Sequence, residues 1–213
     1  MTKINHVQFF ENAADNNSCF QACLKMVLKY YLPNENYSWL ELDRVTAKKQ
    51  GLWTWPMAGL VWMQENNFKV INIELFDYQE FIDNPERYLI DYYGEEVGHD
   101  QIKNSDIEQG VKFSKKLIEV VEVENRSPDF NDIKKLINDG YLIIVNVNSS
   151  ALDGYKGYTG HFVVVIGFDN FSIYLNDPGL PGQSNRRISL DVFKKAWSYP
   201  DSKANNVMAF KIL

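Results

Sequence analysis

The sequence predicts an α+β fold: an N-terminal helical lobe over about residues 1–122, packed on a mostly antiparallel β-sheet lobe over about residues 123–213. Three observations carry that expectation. The first half repeats apolar residues at helical spacing and carries two Ser-x-x-Glu capping signals, Ser38–Glu41 and Ser105–Glu108. The last third instead holds short runs rich in Val and Ile, namely Tyr141–Val147, His161–Phe168 and Ser172–Leu175, separated by Gly, Asn and Asp. Nothing near residue 122 reads as a flexible linker, so the two lobes are expected to form a single domain.

The elements follow in order. His6–Phe10 is a short extended stretch. Asp15 to Ser18 is a polar approach, after which Cys19, Cys23, Met26, Val27 and Tyr30 recur at spacings of three and four, a helix that Asn17 or Ser18 can cap. Pro33 to Asn36 is a turn. Ser38 opens a second helix to about Lys49, ended by Gly51, and Pro56 suits the first turn of a third, to about Glu65. Phe68–Phe76 alternates as a half-buried strand. Gln79–Tyr93 is helical with Pro85 as a break, and Ser105 opens a helix to about Val120. Ser127-Pro128 starts a short helix, Asp129 to Asn138, stopped by Asp139-Gly140. After the three Val/Ile strands, Ser189 caps a last helix to Trp197 and Val207–Leu213 closes the chain as a strand.

Composition bounds the function. The 213 residues, 45% hydrophobic, suffice for one large domain or two small lobes sharing a core. A net charge of −6 and an isoelectric point of about 5.1 argue against nucleic acid or an anionic membrane as partners. No apolar run approaches the roughly 18 residues of a membrane span, and the N-terminus lacks the apolar core of a signal peptide. Two cysteines spaced four apart on one helix make no disulfide framework. A reduced, cytoplasmic protein is expected.

The chemistry starts at Cys19. A thiol at a helix N-terminus meets unpaired N–H groups and the positive end of the macrodipole, which depress its pKa. His161 opens the strand His-Phe-Val-Val-Val-Ile-Gly after a glycine-rich loop, Asp153–Gly160. The turn at Asp169-Asn170 returns the chain along Ser-Ile-Tyr-Leu to Asn176-Asp177-Pro178-Gly179, so the hairpin brings Asp177 beside His161. Cys19, His161 and Asp177 are then a nucleophile, a base and its orienter. Cys23, one turn deeper, is expected in the core. The set Cys19, Cys23, His161 and Asp177 has zinc-ligand types, but structural zinc sites rarely use aspartate, so no metal and no cofactor is expected. His6 and His99 have no evident partners. Trp53 and Trp55 either line a cleft or pack a helix corner.

Three segments resemble the papain-like cysteine peptidases, within them the bacteriocin-processing, double-glycine-leader type and its stand-alone relatives. Cys-Phe-Gln-Ala-Cys-Leu-Lys-Met-Val-Leu-Lys-Tyr-Tyr is similar to the family's Cys-Gly-x-Ala-x-Leu-x-Met-x-Leu-x-Tyr-Tyr. Gly-His-Phe-Val-Val-Val-Ile-Gly followed by Ile-Tyr-Leu-Asn-Asp-Pro, and the tail Arg-Ile-Ser-Leu-Asp-Val-Phe-Lys-Lys-Ala-Trp, complete it. The resemblance covers the first helix and most of the last 75 residues; it leaves 33–125 largely uncovered. It implies a papain-like fold, with Cys19 attacking a peptide or protein substrate, His161 as base then acid, and Asp177 orienting it. The family's oxyanion glutamine has no counterpart at its usual spacing, where Ala13 stands. Asn12 takes its place with one extra residue before the cysteine, and Gln8 is the fallback. Phe20 replaces the usual glycine and is expected to crowd the cleft. An amidase or acyltransferase on the same scaffold, or an inactive binding module, remains open.

Overall fold

The β-branched runs of the last third pair with strands from both ends of the chain into one central sheet. The computed structural model describes residues 2–14 and 16–213; Asp15, the first residue of the polar approach, lies outside the described residues. From the N-terminus come β1 (Thr2–Lys3), α1 (Cys19–Tyr31), α2 (Trp39–Val45), α3 (Met57–Glu65) and β2 (Phe68–Glu74). A run of helices follows: α4 (Tyr78–Asp83), α5 (Pro85–Tyr93), α6 (Glu95–Asn104) and α7 (Ile107–Val120). Then come β3 (Glu122–Asn125), α8 (Phe130–Asn138), β4 (Leu142–Asn148), α9 (Ser149–Leu152), β5 (Gly160–Phe168) and β6 (Ser172–Asp177). The chain ends with β7 (Gln183–Ser189), α10 (Leu190–Trp197) and β8 (Asn206–Ile212).

The sheet runs β3-β2-β8-β4-β5-β6-β7, with β1 also on β5. Only the β2–β3 pair is parallel; the others are antiparallel. β2, from the helical half, pairs along its whole length with β8, from Phe68 opposite Ile212 to Glu74 opposite Asn206. Successive strand residues face opposite sides. On β4, Leu142 and Ile144 join the core shared with α1, α3 and α7, while Ile143, Val145 and Val147 join the core beneath α8 and α10. Helices therefore cover both faces, and the fold is mixed α+β with a largely antiparallel sheet.

α1 lies on β5 and carries the site. Cys23, Leu24, Met26, Val27 and Leu28 are fully buried on it, each larger one stabilising by about 1.5–3 kcal/mol. Its far end is fixed by the Tyr31 hydroxyl, which accepts from the Leu142 N–H at 3.2 Å. The same hydroxyl lies 2.8 Å from the Phe210 carbonyl and 2.9 Å from that of Gly140.

The structure departs from the expected elements at several points. α2 stops at Val45 rather than Lys49, and Ala47 turns left-handed at φ 51. Its capping box is formed, Ser38 N–H donating to Glu41 at 2.7 Å. The cap of α7 is Asp106, not Ser105: its side chain accepts from the Gln109 N–H at 3.2 Å. Pro85 divides the 79–93 helix by standing at the start of α5. The stretch 6–10 forms neither helix nor strand. The helix α6, the edge strand β7 and the short strands β1 and β3 were not signalled by periodicity. Among the described residues, no helix is long and apolar enough to cross a membrane.

Candidate active site

The start of α1, the start of β5 and the end of β6 meet at one edge of the sheet. Ser18 is the N-cap residue of α1, yet its side chain makes no cap hydrogen bond. Its hydroxyl instead accepts from the Lys48 ammonium, and the Ser18 carbonyl accepts from the Ala22 N–H at 2.9 Å. Cys19, the first helical residue, is half-buried; Cys23, one turn on, is fully buried, and both are free thiols.

β5 and β6 pair antiparallel with a bulge between Val165 and Gly167. That register brings His161 and Asp177 together across 16 residues of sequence: His161 Nε2 lies 2.7 Å from Asp177 Oδ1. Both are almost wholly buried. The Asp177 carboxylate also accepts from the Gly179 N–H at 3.0 Å. The Cys19 thiol lies near enough to the His161 ring for the two groups to shift each other's ionisation.

Burial alone would push each of these groups toward its neutral form. For Cys19 burial raises the thiol, but the hydrogen bond and charge of His161, with the N–H groups of Phe162 and Phe20, outweigh it and hold the thiol below its usual value. For His161 burial opposes the imidazolium, and the bonds to Asp177 and Cys19 more than offset it, pushing it up to about 10. Asp177 is driven up by burial and down further by His161, Gly179 and Arg186, settling at about 2. The shifts of Cys19 and His161 both favour the thiolate–imidazolium pair over two neutral groups, beside an ionised Asp177. Cys23 goes the other way: burial and the neighbouring Cys19 and Asp177 charges raise it well above the usual thiol value.

The segment before Cys19 runs against the loop after Asp177. Asn12 N–H donates to the Pro178 carbonyl at 2.7 Å, Gly182 N–H to Glu11 at 3.1 Å, and the Asn176 amide to the Val7 carbonyl at 3.4 Å. Asn12 is buried. Its side-chain oxygen accepts from the Ser18 N–H at 2.8 Å, and its nitrogen donates to Asn16 Oδ1 at 3.2 Å. The Asn16 N–H donates to the Ala13 carbonyl at 2.9 Å, and Asn16 is left-handed at φ 56. Gln8 is exposed.

Phe20 does not crowd the cleft, contrary to expectation. Its ring is 1% exposed, stands 5.1 Å from that of Phe162, and fills space over Gly59. Trp55 packs on Phe81 and donates to Gln101 at 3.2 Å, whereas Trp53 is part-exposed beside a small surface hollow. His6 is exposed, and His99 contacts only Glu95 of its own helix among the described residues.

Arg186 is the residue the sequence did not signal. From β7 its guanidinium donates to Asp177 Oδ2 at 2.7 Å, to Asp153 Oδ1 at 2.6 Å and to the Leu152 carbonyl at 3.1 Å. β7 is a polar edge strand with no alternation to mark it, and only its pairing with β6 could have placed the arginine beside Asp177.

Solved structures share this fold. The peptidase domain of Streptococcus ComA, a bifunctional ABC transporter involved in quorum sensing, is 17% identical with a TM-score of 0.54, over 98% of this chain and 100% of that one. A C39-like peptidase from Bacillus anthracis is 14% identical with a TM-score of 0.52, over 100% and 98%. A double glycine motif protease from an AMS/PCAT transporter, solved in complex with the leader peptide, is 13% identical with a TM-score of 0.51, over 100% and 99%. Among curated proteins none matches the chain. The model of the Peptidase C39 like family matches residues 4–204, nearly the whole chain, and the protein accordingly belongs to that family of cysteine peptidases.

Proposed function

We propose that the protein cleaves peptide bonds through Cys19, His161 and Asp177, as a single domain. The observation that carries this reading is an imidazole whose Nε2 lies 2.7 Å from a carboxylate and whose ionisation is coupled to that of a free thiol at a helix start. The Cys19 thiolate attacks the scissile carbonyl carbon, and the carbonyl π electrons move onto its oxygen. As the tetrahedral intermediate collapses, the C–N bond breaks and the imidazolium gives its proton to the departing amine. The acyl group is left as a thioester on Cys19. The now neutral His161 takes a proton from water, the hydroxide attacks the thioester, and the thiolate leaves with the acid product. Asp177 holds the ring and its charge without touching substrate.

Asn12 is our candidate for the oxyanion donor, with the Cys19 N–H. Because the Ser18 N–H occupies the Asn12 oxygen, the amide is oriented, and its nitrogen, with one hydrogen on Asn16, has a second to offer. Gln8, exposed, is the weaker candidate. The substrate class we assign is a peptide or protein segment, a reading supported by a neighbour solved in complex with a leader peptide. Two free thiols suit a reducing compartment such as the cytoplasm.

Labelling with iodoacetamide at pH 7 tests the reading. Cys19 should react far faster than a free thiol, and Cys19→Ala should abolish both labelling and hydrolysis of a peptide library while leaving the fold intact. Fast labelling of Cys23 with Cys19 inert would overturn it. Release of product from amide or acyl-donor substrates but never from peptides would transfer the same chemistry to an amidase or acyltransferase.

A further inference from the structure

We propose that Arg186 is a positioning residue of this site: it locks the Asp177 carboxylate from behind and, by its charge, sets the pH range in which Cys19 and His161 work. This rests on the roles given above to Cys19, His161 and Asp177. The geometry gives Arg186 three partners and little solvent. Its side chain is 11% exposed, and its two terminal nitrogens reach Asp177, Asp153 and the Leu152 carbonyl. The adjacent Arg187 is a useful contrast, at 64% exposure and 4.0 Å from Asp169. A guanidinium is the cation best suited to such a buried, forked arrangement.

Two consequences follow. With Oδ1 held by His161 and the Gly179 N–H, and Oδ2 held by Arg186, rotation of the Asp177 carboxylate would break bonds at both oxygens. The same cation also ties Asp153, where the exposed loop to Gly160 begins, to Asp177, whose other partner His161 follows that loop. One side chain therefore holds the start of the loop directly and its end only through Asp177 and His161.

The second consequence is electrostatic. The charged and titratable groups gathered here are Cys19 and Cys23 from α1, His161 from β5, Asp177 from β6, Arg186 from β7 and Asp153 after α9. A cation lowers the proton affinity of every group near it. Without Arg186, both the thiol of Cys19 and the imidazolium of His161 should release their protons at higher pH. Asp153 is the counterweight, and its loss should move both in the opposite direction.

The experiment compares Arg186→Gln, Arg186→Lys, Asp153→Asn and the surface control Arg187→Gln. Two readouts are taken: the pH profile of Cys19 alkylation by iodoacetamide, and the titration of His161 by NMR in a Cys19→Ala background, assigned with His161→Ala. Arg186→Gln should shift both upward by about one pH unit and slow alkylation about tenfold at pH values below the wild-type Cys19 midpoint. Asp153→Asn should shift both downward by less, because Asp153 is 41% exposed. Arg186→Lys should keep the titrations near native and lose rate only, and Arg187→Gln should change nothing. A loosened structure would lower the rates without opposite shifts for Arg186→Gln and Asp153→Asn. Coincident titrations in all four variants would overturn the proposal, as would shifts of one sign. Should Arg186→Gln fail to fold by circular dichroism, the Asp153→Asn and Arg186→Lys pair decides. If wild-type Cys19 is no more reactive than a free thiol, the peptidase mechanism falls alone, since the His161 titration still reports on Arg186.

Discussion

The two flanks of Cys19 are built on different principles. On the sheet flank, His161, Asp177, Arg186 and Asp153 form a relay of charge-assisted bonds at 2.6–2.7 Å. On the loop flank, Asn12 is held by neutral groups, the Ser18 N–H at 2.8 Å and the Asn16 amide at 3.2 Å. Bonds between charged partners are roughly twice as strong as neutral ones. The sheet flank should thus govern the ionisation of the nucleophile, while the loop flank should govern the fate of the carbonyl oxygen. On the proposed mechanism one flank would set the pH range and the other the height of the rate.

Substitutions can break that division. The largest effect is expected for His161→Ala, which removes both the imidazolium partner and the proton carrier: peptide turnover should fall by about 10²–10⁴-fold. Cys19 alkylation near neutrality should slow as well. Asp177→Asn should act in the same direction but less. Next, Asn12→Ala should lower kcat by about 10²–10³-fold, the scale of one lost oxyanion donor, with the pH profile unmoved; Gln8→Ala should leave both unchanged. A shifted profile for Asn12→Ala would merge the two flanks, and a loss in Gln8→Ala alone would move the donor to Gln8.

The pH profile itself sharpens the comparison. The folded Cys19 pKa is depressed, so the thiolate persists as pH falls below the usual thiol value and is lost only on passing the depressed one. The folded His161 pKa is raised, so the imidazolium persists until pH rises through about 10. Stopped assays across pH 4–11 should therefore show turnover through neutrality and a fall on the alkaline side near that value. An alkaline fall near pH 7 would mean that Asp177 does not support the imidazolium. The smallest effect is expected one helical turn away. Cys23→Ala should retain labelling of Cys19 and lose about 1 kcal/mol in urea unfolding, the scale of a small core truncation.

Much of this was legible in the sequence, for local reasons. Cys19 stands where a polar run meets an apolar helix, and hairpin arithmetic over 16 residues places Asp177 beside His161; the structure begins α1 at Cys19 and sets His161 2.7 Å from Asp177. The capping residues Ser38 and Ser189 carry their own signals and sit where such signals place them, whereas the cap of α8 is Asp129, which the sequence reading places inside the helix. What was hidden depends on partners distant in sequence. The ten residues of α6 are mostly polar and show no apolar stripe to read, and β7 is an edge strand whose only buried apolar side chain is Ile188. Arg186 becomes meaningful only once β7 is laid against β6. The environment of Phe20 was misread because a residue beside a nucleophile was assumed to face the cleft, whereas the first turn of α1 directs it into the core.

That ring has one more implication. A Cβ added to Gly59 would lie 2.7 Å from Phe20 Cε1 and 3.0 Å from Cζ. The bulk beside the nucleophile is thus accommodated by a vacancy on α3, as if a side chain had been handed from one helix to its neighbour. Gly59→Ala alone should overpack the contact and cost about 1–3 kcal/mol, while Phe20→Ala alone should leave a void. Together the two changes should cost less than their sum, since each relieves the other. Residues 20 and 59 therefore behave as a single volume shared between two segments, and a chain with glycine after its cysteine has room for a side chain at the second position.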